Sequence, residues 1–282
     1  MTSGRVTSDA IRGRKGQPPP IVMLTAYDTP TARIADAAGA DVVLVGDSVA
    51  MVVLGHPDTL QLGIEEMSHH VAAVARARPR ALIVADMPWL SYHLSPADAV
   101  ANAGRLVRAG AEAVKIEGGR VRVPVVAALL DAQIPVMGHV GLTPQSQHVF
   151  GGYRVQGRDP AVAEAIVADA RALDDAGCFA LVVECVPRDV GALVTRSVSM
   201  PVVGIGAGPE CDGQVLVLHD LLGLSAGPSP RFVRRYASLE SDAVKAATAF
   251  VEDVQAGRFP SDDESYHSPG TPPPGTPPPD AR

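Results

Sequence analysis

A chain of 282 residues, 46% of them apolar, is long enough for one large α/β barrel or two ordinary domains around a sizeable core. Its net charge of −7 argues against a nucleic-acid partner, which needs a basic face. No apolar run reaches the roughly 18–20 residues of a membrane span.

Residues 1–20 are polar and basic, without the apolar stretch of a secretory signal, and read as a short helical or irregular lead-in. Pro18-Pro19-Pro20 closes it, because such a run cannot lie inside a helix. Apolar, β-branched runs then predict strands over 21–27, 41–47, 81–88, 113–119, 135–141, 180–186, 201–208 and 214–220. Alanine-rich stretches with helical spacing lie between most of them, over 29–38, 64–78, 96–109, 121–132, 160–176 and 188–197. Ser95-Pro96-Ala97-Asp98 has the pattern of a serine cap with proline at the first helical position. Gly39, Gly110 and Gly177 follow helices, where a terminating glycine is expected.

Eight apolar runs separated by helices imply a parallel sheet, and eight strands close into a (β/α)₈ TIM-type barrel spanning 21–260. The weakest point is the link over 209–213, too short for a crossover helix; an open doubly wound sheet is the competing architecture. A last helix is predicted over 230–256. Residues 261–282 turn acidic and then proline-rich, with Gly-Thr-Pro-Pro-Pro written twice, the composition of a disordered tail. A docking peptide for a proline-recognising partner is the alternative use of that segment. Cys178, Cys185 and Cys211 form neither a C-x-x-C pair nor an even-numbered framework and read as buried free thiols in a reducing cytoplasm.

Ala113-Val114-Lys115-Ile116-Glu117-Gly118-Gly119 is an odd strand. Alternation sends Lys115 and Glu117 to one face and Val114 and Ile116 to the other. A lone structural ion pair would explain it, were it not that neighbouring strands end the same way: Asp47-Ser48, Asp86, His139 and Glu184 each follow an apolar run. In a barrel, the C-terminal strand ends carry the active site. Asp47, Asp86 and Glu117 offer hard oxygen donors without thiolates, a set suited to Mg²⁺. Three carboxylates at one pole repel unless a cation sits among them, and Lys115 offsets only one charge. A chelating 2-oxo acid could fill the remaining metal positions, and the metal would favour its enolate. Glu184 stands apart between apolar neighbours as the candidate base; a buried arginine partner is its other reading. Gly204-Ile205-Gly206-Ala207-Gly208 fails the dinucleotide pattern at Pro209 and fits a barrel rim better. His69-His70 reads as a surface or packing pair, and His56, His148 and His219 have no metal-site spacing.

With those residues in place, the chain resembles the ketopantoate hydroxymethyltransferase family. The resemblance rests on Leu44-Val45-Gly46-Asp47-Ser48, Ala85-Asp86-Met87-Pro88, Val114-Lys115-Ile116-Glu117-Gly118-Gly119, Gly138-His139-Val140-Gly141-Leu142-Thr143-Pro144-Gln145 and Glu184-Cys185-Val186-Pro187, and runs from about residue 5 to 267. It implies a Mg²⁺-dependent transfer of a hydroxymethyl group from 5,10-methylenetetrahydrofolate to 3-methyl-2-oxobutanoate in a cytoplasmic homodecamer. By motif, Asp47, Asp86 and Glu117 match metal positions and Glu184 the proton acceptor. Asp47, Ser48, Asp86 and Lys115 match oxo-acid contacts, and His139 falls in the same site. Trp89 stands where Phe is usual and Ala50 where Gly is usual, both expected on rim loops. A metal-dependent carbon–carbon lyase or mutase is the competing enzyme, but the cysteines lie in strand-like or glycine-flanked positions rather than on a mobile loop. A catalytically silent barrel would have lost a strand-end carboxylate, and none is missing.

Overall fold

The computed structural model describes residues 4–225, 227 and 229–268. Eight strands close into a barrel in chain order: β1 (Ile21–Thr25), β2 (Val42–Val45), β3 (Leu82–Asp86), β4 (Ala113–Glu117), β5 (Val136–Gly141), β6 (Ala180–Glu184), β7 (Val202–Ile205) and β8 (Gly213–Leu216). Every neighbouring pair is parallel, and β8 returns to β1. This is the (β/α)₈ architecture expected from the eight apolar runs.

Strands β2, β3 and β4 are buried on both faces, which is why they read as continuous apolar runs, whereas β1 exposes Val22 and β8 exposes Gln214. Outward residues such as Val43, Ile83, Val114 and Ile116 pack against Val71, Leu106 and Leu129 of the surrounding helices. Inward residues Met23, Val42, Leu82, Val84, Met137 and Val182 fill the lower barrel together with Ile11, from the short helix Ser8–Arg12 of the lead-in. The helix Pro96–Ala109 follows its sequence signature: Ser95 Oγ accepts from the Asp98 N–H, Pro96 stands at the start, and Gly110 ends it in the left-handed region.

Several boundaries differ from the sequence reading. The predicted strand over 214–220 ends at Leu216, and its remainder winds into the helix Leu218–Leu222. The predicted helix over 230–256 is only Leu239–Gln255; residues 230–238 are turn and coil. The helix expected over 121–132 opens as a 3₁₀ turn, Arg120–Arg122, before Val123–Asp131. Ala50 lies buried in a short helix, Val49–Val52, not on an open loop, whereas Trp89 is exposed as expected. No helix separates β7 from β8, yet both strands belong to the barrel. Asp212, just before β8, accepts from Val202 N–H at 2.8 Å, Gly16 N–H at 2.9 Å and Lys15 Nζ at 2.9 Å. Those bonds lock the short link to the lead-in.

Among the described residues no helix is long and apolar enough to cross a membrane. Of the predicted tail, residues 261–268 are exposed, and 269–282, with both proline repeats, lie outside the described residues.

Candidate active site

A cavity of about 880 Å³ opens at the C-terminal pole of the barrel. Asp47, Ser48, Asp86, Lys115, Glu117, His139 and Glu184 all line it. Strand register brings them together. Asp86 lies opposite Lys115 across β3 and β4, Glu117 opposite His139 across β4 and β5, and Gly141 opposite Glu184 across β5 and β6. Asp47 sits two residues beyond β2, where its N–H donates to Asp86 Oδ2 at 2.9 Å.

Lys115 is the electrostatic centre. Its Nζ lies 3.0 Å from Asp86 Oδ1, and both side chains are only 4% exposed. Burial works against its charge, but Asp86, Glu117 and Asp47 outweigh burial and raise its pKa. The ammonium also lies 3.1 Å from His139 Nδ1. An ammonium can only donate, so Nδ1 accepts and the ring proton sits on Nε2. Glu117 Oε1 is farther from Nδ1, at 3.5 Å, so the lysine contact decides the assignment. Nε2 faces Glu184 Oε2 at 3.3 Å. A line of polar groups therefore runs from Asp86 through Lys115 and His139 to Glu184.

Local backbone geometry serves the same end. Gly141 has φ of 94°, and a Cβ there would collide with the Glu184 carbonyl, so β5 can approach the end of β6 only through glycine. Cys185, immediately after Glu184, holds φ of 50°, a left-handed conformation that turns the chain out of the strand at the rim. At Gly46 a Cβ would stand 2.9 Å from Ser48 Oγ. Ser48 Oγ in turn shares a 2.8 Å hydrogen bond with Tyr27 OH.

The carboxylates fit a hard cation. Burial, followed by the charges of Asp86 and Glu117, pushes the Asp47 pKa well above the usual carboxylate range. Burial likewise raises Asp86 against the opposing pull of Lys115. Among the described residues Glu117 Oε1 is buried without a hydrogen-bond partner, and Asp86 Oδ1 has its ion pair but no well-aligned hydrogen bond. Acceptor oxygens left in this state are what a cation satisfies. Among the described residues no three His, Cys, Asp or Glu side chains converge as a ready-made coordination shell. The three carboxylates expected as metal ligands line one cavity without closing into a shell, so the case for a cation rests on the unsatisfied acceptor oxygens.

Sequence reasoning passed over three residues of the site. Tyr27 supports Ser48, while Gln145 and Tyr92 lie buried among Asp47, Met87 and Glu117. All three are uncharged at neutral pH, and ionisable residues were the signal in use. The three cysteines divide: Cys178 and Cys211 are buried as expected, but Cys185 is partly exposed. His70 is a packing residue, its Nδ1 2.7 Å from the Tyr27 carbonyl oxygen.

The family model of ketopantoate hydroxymethyltransferase matches residues 5–262. The 3-methyl-2-oxobutanoate hydroxymethyltransferase of Koribacter versatilis is 52% identical over 266 residues, 94% of this chain and 90% of its own. The enzyme of the same name from Moorella thermoacetica is 53% identical over 263 residues, 93% of this chain and 98% of its own. Among solved structures, a 2,3-dimethylmalate lyase of the PEP mutase/isocitrate lyase superfamily aligns with a TM-score of 0.59 at 20% identity, covering 93% of this chain and 92% of that one. A phosphonopyruvate hydrolase complex with oxalate and Mg²⁺ aligns with a TM-score of 0.61 at 15% identity, with the same coverage. At such identity the likeness is one of barrel fold alone.

Proposed function

Since the chain belongs to the ketopantoate hydroxymethyltransferase family, enzymes of pantothenate synthesis, we propose that it moves a hydroxymethyl group from 5,10-methylenetetrahydrofolate to 3-methyl-2-oxobutanoate with Mg²⁺. The observation that carries the residue assignment is the convergence of Asp86, Lys115, Glu117, His139 and Glu184 at one pole. The oxo acid lies among Asp47, Ser48, Asp86, Lys115 and His139, its carboxylate met by the Ser48 hydroxyl and the Lys115 ammonium. Asp47, Asp86 and Glu117 are the residues that would hold Mg²⁺, which when bound would stabilise negative charge developing on the oxo acid.

Glu184 takes the proton from C3 of the oxo acid. With Asp220 it is one of two cavity carboxylates outside the Asp47–Asp86–Glu117 group, and it is the one that faces His139; its side chain is 17% exposed, open enough to meet substrate. His139 Nε2 lies 3.3 Å from Glu184 Oε2, within reach of the carboxylate as it meets substrate. The one-carbon unit is bonded to two folate nitrogens: water breaks one of those bonds, leaving an N-hydroxymethyl group and one N–H, and the electron pair left on C3 then displaces the second nitrogen, which takes the proton held by Glu184. Val182, Leu142 and Ile205 line the wall beside Glu184 and limit water around the reacting carbon.

Glu184→Gln keeps the shape of the side chain and removes the base. Expected is loss of C3 hydrogen exchange into deuterium oxide and a fall in turnover of about 10²–10⁴-fold, the range for general-base catalysis. Exchange at the wild-type rate would sink the assignment. The decameric assembly implied by the resemblance is part of the same reading, and light scattering of the purified chain tests it.

A further inference from the structure

We propose that Gln145, oriented by Tyr92, is the positioning residue that presents Asp47 and Glu117 to the cavity; this rests on the reading above. Gln145 follows β5 and is buried, 7% exposed. Its side-chain amide has no freedom in the hydrogen bonds it makes. Nε2 donates to Asp47 Oδ2 at 2.9 Å and to the Met87 carbonyl at 3.0 Å, using both its protons. The Met87 carbonyl can only accept, so the amide cannot flip.

The amide oxygen is held as firmly. Tyr92 OH accepts from the Glu117 N–H at 3.1 Å and donates to Gln145 Oε1 at 2.7 Å, a shorter contact than its 3.3 Å approach to the Glu117 carbonyl. The Gln145 N–H closes the circuit by donating to Glu117 Oε2 at 2.9 Å. Glu117 backbone, Tyr92, Gln145 and the Glu117 carboxylate thus form a ring of hydrogen bonds, with a branch to Asp47. Each carboxylate has one oxygen tied to this ring. The other oxygen of Glu117, Oε1, is left without a hydrogen bond, available to a cation or substrate. The Gln145 side chain therefore holds Asp47, from the segment after β2, while its main-chain N–H holds Glu117 at the end of β4. Groups of this kind commonly tune a metal site as strongly as its ligands do.

A glutamate at the same position would keep the shape and place an acceptor against Asp47, where a donor is needed. For Q145E, Mn²⁺ binding followed by electron paramagnetic resonance without substrate is expected to weaken about 10–100-fold. KM for the oxo acid should rise by more than kcat falls, since Glu184 is untouched; the melting temperature should fall, because a second carboxyl then meets Asp47 and the Met87 carbonyl in a buried place, and both readouts are taken below that transition. Y92F, which removes only the hydroxyl, should shift both readouts in the same direction by a smaller factor. A folded Q145E with wild-type Mn²⁺ affinity and KM would overturn the proposal. If Q145E does not fold, Y92F decides on the same two readouts. A wild-type chain that binds no Mn²⁺ would overturn the metal reading instead, and the KM of the variants would then judge Gln145 alone.

Discussion

The two ends of this barrel are made from the same eight strands and differ in almost everything else. At the lower end the lumen is apolar: Ile21, Met23, Val42, Leu82 and Val203 close around Ile11 from the lead-in helix. At the upper end the same strands finish in Asp86, Lys115, Glu117, His139 and Glu184. The lower end tolerates no water and gains stability from area removed from it. The upper end buries several charges, an arrangement that costs folding free energy unless each charge finds a partner. The chain supplies Lys115 as one partner and leaves Glu117 Oε1 unsatisfied. Stability is concentrated at the floor and reactivity at the mouth, as barrel enzymes generally divide them.

The sharpest way to break that division is Lys115→Met. The variant removes the buried cation beside Asp86 and opposite His139. Activity should disappear, and stability should fall by about 3–5 kcal/mol, the usual cost of orphaning one partner of a buried pair. Urea denaturation measures it. A loss no larger than the ~1 kcal/mol of a surface pair would show that the upper pole does not depend on this ammonium. At the other end, Ile11→Ala should cost about 3 kcal/mol through the cavity it leaves. Its kcat and KM should match those of the wild type below the melting transition. Changed kinetics would mean that the floor and the mouth are coupled through the strands.

How much of this was legible beforehand follows the same division. The strands showed themselves because a strand buried on both faces is a short run of Val, Ile, Leu and Ala, and the charged ends stood out against those runs. The cavity residues Asp47, Asp86, Lys115, Glu117, His139 and Glu184 are all at the pole where the alternation placed them. Residues 218–220 were misread because they continue the apolar run Val215-Leu216-Val217 without a break, and so short a segment carries no usable period, so strand and helix look alike. Residues 230–238 have helical spacing but spend their hydrogen bonds elsewhere. The Tyr236 N–H donates to the Leu221 carbonyl and Arg235 reaches Ser229, contacts made across the fold that no local pattern reports. Gln145 and Tyr92 were hidden for a different reason. A neutral side chain acquires its role only from what surrounds it, and the surroundings come from three other segments.

The smallest expected effect concerns two thiols that sit at opposite ends of β6. Cys178 lies below the strand, fully buried, where Arg12 of the lead-in helix donates to its carbonyl at 3.1 Å. Burial, followed by the nearby Asp174 charge, pushes its pKa from 9.0 up to about 12. Cys185 lies above the strand at the cavity wall and is partly exposed, although burial and Glu184 also raise its pKa. A thiol reagent at pH 8 should therefore modify Cys185 first, and Cys178 only on unfolding. The folded chain keeps a proton on Cys178 that the unfolded chain releases near pH 9, so this contribution to stability is complete below pH 9 and fades as the pH rises toward about 12. Cys178→Ala should flatten that alkaline decline without altering turnover at neutral pH. Rapid labelling of Cys178 in the native protein would mean that the floor opens, and the contrast between a closed end and a reactive end would fail at its simplest point.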